Sequence, residues 1–227
     1  MGQAAIQPMT SMTAAGKLLA LAWAVHLAAG VAAQSRPGVT FDDERPGSAP
    51  GGFLFVAMRQ AAPGTWLVRK TGANGFLVHE AGPARDGPEG YAIGLAPGDR
   101  MRDVLVSVRV RLARGSLVGG LVWRYQDEHN HYQILLDLGR RELAMYRVVA
   151  GNRIRIERED DLELDPDAWH TLKIVHEQSE IRVSLGGIRV FEENDRTFGA
   201  GRAGVVAGGS SDVWFDDVRI EPERRER

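Results

Sequence analysis

The sequence predicts an all-β domain, a two-sheet antiparallel β-sandwich of jelly-roll type. Three observations carry that expectation. From Phe53 onward, apolar residues alternate with polar ones in short runs. The runs are separated by Gly, Pro, Asn and Asp, which stop strands and shape turns. No segment after residue 34 holds a helical period over three turns. Short strands at this spacing in one domain suit two packed sheets.

The elements follow in order. Lys17 precedes an apolar run, Leu18 to Ala33, that ends in the small residues Val31, Ala32 and Ala33. This reads as a secretory signal peptide over residues 1–33, and its 16 residues are short for a membrane span. An exported protein, periplasmic or extracellular, with no membrane span after cleavage is therefore expected. Residues 34–52 are rich in Pro, Gly and charge and read as a linker around one short strand, Val39 to Asp42. Residues 53–222 form the sandwich domain, and the tail ERRER, 223–227, is expected to fray. Within 53–222 the strand-like runs are FLFVAMR, TWLVRK, GFLVHE, YAIGLA, VLVSVRVRL, LVGGLVWRY, HYQILLDL, ELAMYRVV, RIRIERE, HTLKIVHE, IRVSLGG, IRVFEE, AGVVAG and VWFDDVRI.

Turns set the registers. Gln178-Ser179 closes a hairpin that places Ile174 against Val183 and Leu172 against Leu185, and Gly186-Gly187 joins Leu185 to Ile188. Gly151-Asn152 is a two-residue turn between Val149 and Ile154, and Arg140-Arg141 places Leu138 against Leu143. In WRYQDEHNHY, residues 123–132, a four-residue loop Asp127–Asn130 pairs Tyr125 with Tyr132 and Trp123 with Ile134. Leu121, Trp123, Tyr125, Tyr132, Ile134 and Leu136 then share an apolar face. Arg147 falls on that core side without an evident partner.

The opposite face would carry Arg124, Gln126, His131, Gln133, Tyr146, Arg155 and Glu157. Amides and guanidinium forks there can bond hydroxyl groups, and a tyrosine ring can lie against a sugar. That set is the expected ligand surface, set against a plain solvated sheet face.

Composition excludes several classes. Beyond residue 33 the chain carries 27 basic and 30 acidic groups, interleaved, so nucleic acid is not an expected partner. No cysteine is present, which removes disulfides, thiol nucleophiles and lipidated cysteine anchors. No phosphate-cradling glycine motif or serine elbow occurs, and no cofactor is required by the pattern. His129 and His131 stand two apart on a strand, but the sequence places no third metal ligand beside them. Asp42-Asp43 and Asp216-Asp217 fall in the first and last strands. There Asp43, Asp216 and Asp217 could hold a structural Ca²⁺, or be solvated or arginine-paired instead. In ELDPD, 163–167, Pro166 removes a ladder donor and Ala168 stands where a glucanase would need its closing glutamate. The weak catalytic candidates that remain are His131 and Glu157.

A series of segments resembles the concanavalin A-like lectin/glucanase superfamily, in particular its secreted laminin-G-like and 3-keto-disaccharide hydrolase-like domains. They are GTWLV (64–68), GLVWRYQDEHNHY (120–132), LAMYRV (143–148), AWHTLKI (168–174), IRVSLGG (181–187), FGAGRAGVVA (198–207) and VWFDDVRI (213–220). The likeness spans residues 40–222 and is strongest after Gly120. It implies two antiparallel sheets, one curved, with glycans as the usual ligand and a Ca²⁺ held through Asp216 or Asp217. The glucanase catalytic acids are missing. The leading expectation is an exported, non-catalytic domain that binds carbohydrate or another cell-surface ligand. A glycoside-processing hydrolase of the 3-keto-disaccharide type and a structural domain without a small ligand are the alternatives.

Overall fold

The computed structural model describes residues 38–58, 64–82, 90–112, 118–208 and 211–223. The expected signal peptide lies outside them, as do the last four residues of the tail. Fourteen strands follow one another among the described residues. They are β1 (Leu54–Met58), β2 (Thr65–Thr71), β3 (Asn74–Glu80), β4 (Tyr91–Leu95), β5 (Val104–Leu112), β6 (Val118–Asp127) and β7 (Asn130–Asp137). Then come β8 (Glu142–Val149), β9 (Asn152–Glu159), β10 (Trp169–Glu177), β11 (Glu180–Leu185), β12 (Ile188–Asn194), β13 (Arg202–Gly208) and β14 (Val213–Pro222). They form two antiparallel seven-stranded sheets, ordered β1-β4-β13-β6-β7-β8-β9 and β12-β11-β10-β5-β14-β3-β2. No helix among the described residues is long and apolar enough to cross a membrane.

The pattern of β5, VLVSVRVRL, shows how the sequence builds the second sheet. Its valines and leucines at alternate positions are buried and the residues between them are half-buried. Val106, Val108 and Val110 meet Leu121, Ile134 and Leu136 of the first sheet in one core. The register of β10 with β11, Ile174 with Val183 and Leu172 with Leu185, is the one the Gln178-Ser179 turn dictates. Leu185 faces Ile188 across Gly186-Gly187, both in positive φ.

The central meander departs from expectation first by register. Leu136 faces Leu143 and Ile134 faces Met145, because the β7–β8 loop is Leu138–Arg141. Val149 faces Asn152, because the turn residues are Ala150 and Gly151, at φ 48 and 78. Each is a slip of two positions, which by itself leaves side chains on their own side. A bulge in β9 then sets Arg155 against Tyr146 but Glu157 against Met145, so beyond Ile156 the facing of β9 reverses and Glu157, expected on the polar face, stands opposite a core residue.

The tip of the β6–β7 hairpin differs more. Trp123 faces Tyr132 and Asp127 faces Asn130, so β6 holds two extra residues in between. Arg124 adopts φ 45 there, a bulge that turns Tyr125 away from the core. Gly201 lies under this bulge, and a Cβ on it would stand 2.2 Å from the Arg124 carbonyl carbon. Tyr125, expected in the core, instead joins a second cluster on the outer face of the first sheet with Val122, Leu135 and Val206.

At this end of the sandwich a buried polar network joins the sheets. The Trp123 indole donates to His176 Nδ1 at 3.0 Å. The Tyr132 hydroxyl donates to Asp195 at 2.5 Å, and Arg147 bonds the other Asp195 oxygen at 2.5 Å. Arg147 therefore has its partner, on a loop 48 residues away. Burial, with the proton held toward Asp195, pushes the Tyr132 hydroxyl up to about 12. Burial also forces the His176 imidazole down to about 3. Burial alone would raise Asp195, but bonds from Thr197, Tyr132 and Arg147 outweigh it and hold it at about 2.

Residues 38–52 are not the expected linker around a strand. Val39 makes a single bridge to Val218, Phe41 is buried in the core, and Gly47 and Ser48 bond Val68 along the edge of β2. In the tail, the Glu223 amide donates to Asp103 O at 3.0 Å, which ties down its first residue.

Candidate functional site

The outer face of the first sheet does not match the expected polar row. Met58, Ile93, Leu95, Val118 and Val206 are buried there as a second apolar cluster, and Tyr91 and Tyr146 pack against it. β6 and β7 are buried on both faces for most of their length. The signal was present in the sequence: YAIGLA, ILLDL and AGVVAG are runs in which apolar residues stand side by side, the mark of a strand covered on two faces.

The seven expected ligand residues separate. Arg124 is 1% exposed and turned between the layers. Its guanidinium donates to Arg102 O at 2.7 Å, Phe198 O at 2.9 Å and Gln178 O at 3.0 Å. It is a clamp on three loops and is removed from the ligand surface. Burial also lowers its pKa, against the pull of Tyr132 and Asp103. Gln126 is exposed near the hairpin tip. His131 and Gln133 are buried side by side under the outer face, His131 against the Tyr125 ring at 5.5 Å. Tyr146 is half-buried and faces Gln133 on one side and the exposed Arg155 on the other. Its hydroxyl pKa is raised, first by burial and then by Glu142. Glu157 is half-buried on β9 and bonds the Arg158 amide.

His131 and Glu157 are not an acid/base pair. His131 aligns with Val148 and then Arg153, four residues along β9 from Glu157. Burial keeps the His131 imidazole neutral by lowering its pKa. Its ring nitrogens face Asp127 O at 3.3 Å and Gln133 Oε1 at 3.4 Å. A proton on Nδ1 satisfies Asp127 O and leaves Nε2 an acceptor, which wants the amide nitrogen of Gln133 facing it. With either orientation of that amide, one of its two polar atoms stays unpartnered; with the oxygen toward His131 it is Nε2. His129, by contrast, is exposed at the tip, so the two histidines share no metal.

The proposed Ca²⁺ ligands do not converge. Asp43 is exposed in a turn, Asp216 is buried and accepts from Asn74 Nδ2 at 3.2 Å, and Asp217 pairs with Arg109 at 3.2 Å. Burial raises the Asp216 pKa. Among the described residues no three His, Asp or Glu side chains gather in a metal-binding group. In the acidic stretch, Leu162 and Leu164 pack against the core and hold 160–168 as a loop.

The structure brings together a set the sequence did not. The first sheet coils until its two margins approach across the outer face. The Arg153 guanidinium of β9 lies 5.1 Å over the Tyr91 ring of β4 and 4.6 Å over Tyr146 of β8. It also bonds the Tyr91 hydroxyl. One face of Tyr146 is thus covered by a cation, not left open for stacking. Beside this stack lies a cleft of about 440 Å³ between β1 and two hairpin tips. Ala57, Met58 and Ala150 give it apolar lining, and Glu128, His129 and Asn152 give it polar groups. The tips are laced together: Gly151 donates to His129 O at 3.0 Å and Ala150 to Asn130 Oδ1 at 3.2 Å.

No family model matches the chain, and none of the curated proteins matches it in sequence. Solved structures do match its fold. The carbohydrate binding module CBM66 from Bacillus subtilis superposes with a TM-score of 0.60 at 17% identity, over 75% of this chain and 95% of that one. The β-1,3-1,4-glucanase (lichenase) derived from a mouse hindgut metagenome gives 0.53 at 13% identity, over 82% and 98%. The fold is the concanavalin A-like jelly roll. A third jelly roll, a protein of unknown function with a galectin-like fold from Bacillus subtilis, gives 0.54 at 13% identity, over 75% and 90%. At these identities the likeness concerns the jelly roll alone.

Proposed function

We propose that the protein is an exported, non-catalytic domain that binds carbohydrate in the cleft on the outer face of its first sheet. The observation that carries this reading is the make-up of that cleft. An apolar floor at Met58 and Ala57 is ringed by the carboxylate of Glu128, the imidazole of His129 and the amide of Asn152. Its volume suits one or two sugar rings. Sugars present ring C–H faces and hydroxyl rims, which need such a mixture of surfaces. The Arg153–Tyr91 stack extends the polar rim. The jelly roll is also the fold of the carbohydrate binding module named above.

The test is glycan-array screening followed by calorimetry on the glycans retained. Asn152→Ala removes an amide, and Glu128→Gln removes a charge and turns one acceptor oxygen into a donor; each is expected to weaken binding about tenfold, the worth of ~1.4 kcal/mol. If no glycan binds at millimolar concentration, the reading fails. If Tyr146→Ala abolishes binding while both cleft variants bind normally, the ligand sits on the middle of the sheet and the cleft is not its site.

A further inference from the structure

Among the described residues the two sheets end in four edge strands, and three of these are protected against strand addition. β9 reads NRIRIERE, five charged residues in eight. β12 carries Arg189, Glu192 and Glu193. The edge of β2 is covered, because Gly47 donates to Val68 O at 2.8 Å and Val68 donates to Ser48 O at 2.9 Å. Charge and cover are the usual defences of an open edge. β1, LFVAM, has neither: it holds no charged residue, and Leu54 is 50% exposed. One side of β1 pairs with β4 from Leu54↔Leu95 to Met58↔Tyr91, and no described residue bonds its other side.

We propose that this bare edge docks β1 of a second copy of the chain, antiparallel and about a two-fold axis at Val56. The sequence of β1 is what selects that occupant. Self-pairing sets Leu54 against Met58 of the second copy, Phe55 against its Ala57, and Val56 against its Val56. Every opposed pair is apolar and no like charges meet, so the strand is complementary to itself. The two first sheets then run on as one. Ala57 lines the sugar cleft as well, so the two-fold sets two clefts side by side. Two weak sites held in fixed relation bind a repeating glycan more tightly than either alone. The association itself rests on β1 and stands whether or not the cleft binds a sugar.

Five residues a side bury less than a standard interface, so the dimer is expected to dissociate in the range of about 10–100 µM. Sedimentation equilibrium on the full chain across that range is expected to show the weight-average mass rising toward twice the monomer. Hydrogen exchange at the same concentrations should show the amides of 54–58 slowing as the mass rises. Leu54→Lys and Ala57→Lys lie at exposed positions, so the circular dichroism spectrum is expected to stay that of the wild type; together they should return the mass to that of the monomer. Association that persists in the double variant, or that leaves the β1 amides unprotected, overturns the proposal. So does a wild-type chain that stays monomeric throughout, including one whose β1 accepts only an added foreign strand.

Discussion

Replacing Arg124 with Met tests whether this residue is a structural clamp. The side chain is 1% exposed and donates to three backbone carbonyls, at 2.7, 2.9 and 3.0 Å. Hydrogen bonds to a charged donor contribute about 1.5–3 kcal/mol each. Two of the three lie where water can reach part of the carbonyl, and only the bond to Phe198 O is fully enclosed. Methionine also removes the cost of burying a guanidinium, which offsets part of the loss. The net destabilisation is therefore set at about 3 kcal/mol. For a chain of this length that lowers Tm by about 6–12 °C, at 2–4 °C per kcal/mol. Differential scanning calorimetry reads it directly. Arg124→Lys should recover little, because one ammonium cannot span three divergent carbonyls. Either variant, while folded, should keep the ligand affinity of the wild type, since the guanidinium points between the layers. A Tm within about 2 °C of wild type, or lost binding by a folded variant, would refute the clamp.

Four further outcomes are expected. His176 is held at about 3 in the fold, well below its unfolded value, so the unfolded chain takes up the proton first. Stability is then complete above about pH 6.5 and falls as pH drops toward 3, with slope up to about 1.4 kcal/mol per pH unit for this group; equal urea midpoints at pH 7.5 and 5 would contradict this. Gly201→Ala puts a Cβ against the Arg124 backbone and should destabilise by about 2–3 kcal/mol in urea titration. Ala150→Asn should stabilise by about 0.5–1 kcal/mol, because Ala150 sits at φ 48 in a two-residue turn that favours Asn-Gly. Expression in a secreting host should yield a mature N-terminus at Gln34, read by N-terminal sequencing, if Val31–Ala33 is the cleavage signal.

What the sequence made legible was facing, and what it hid was register and long-range closure. Ile134, Leu136, Leu143 and Met145 lie in the core as their alternation requires, although their pairing slipped by two. An even slip does not change the face of any residue, so hydrophobic pattern alone cannot detect it. The bulge at Arg124 is different in kind. It inserts residues on one strand, and the alternation of WRYQ gives no sign of it, because Tyr is acceptable on either side. The consequence reached the expected ligand surface directly: Arg124 turned inward to three carbonyls, and Tyr125 turned outward onto His131. The cleft was hidden for a further reason. Met58 and Asn152 belong to strands at opposite margins of one sheet, and only the coil of that sheet brings them together. Coil accumulates from the twist between each pair of strands, so it depends on strand order. Strand order in turn comes from pairings such as β4 with β13, strands far apart in the chain, which no local pattern encodes. Residues that touch through coil are therefore the last to be found from sequence. In this protein they are also the ones that line the cleft.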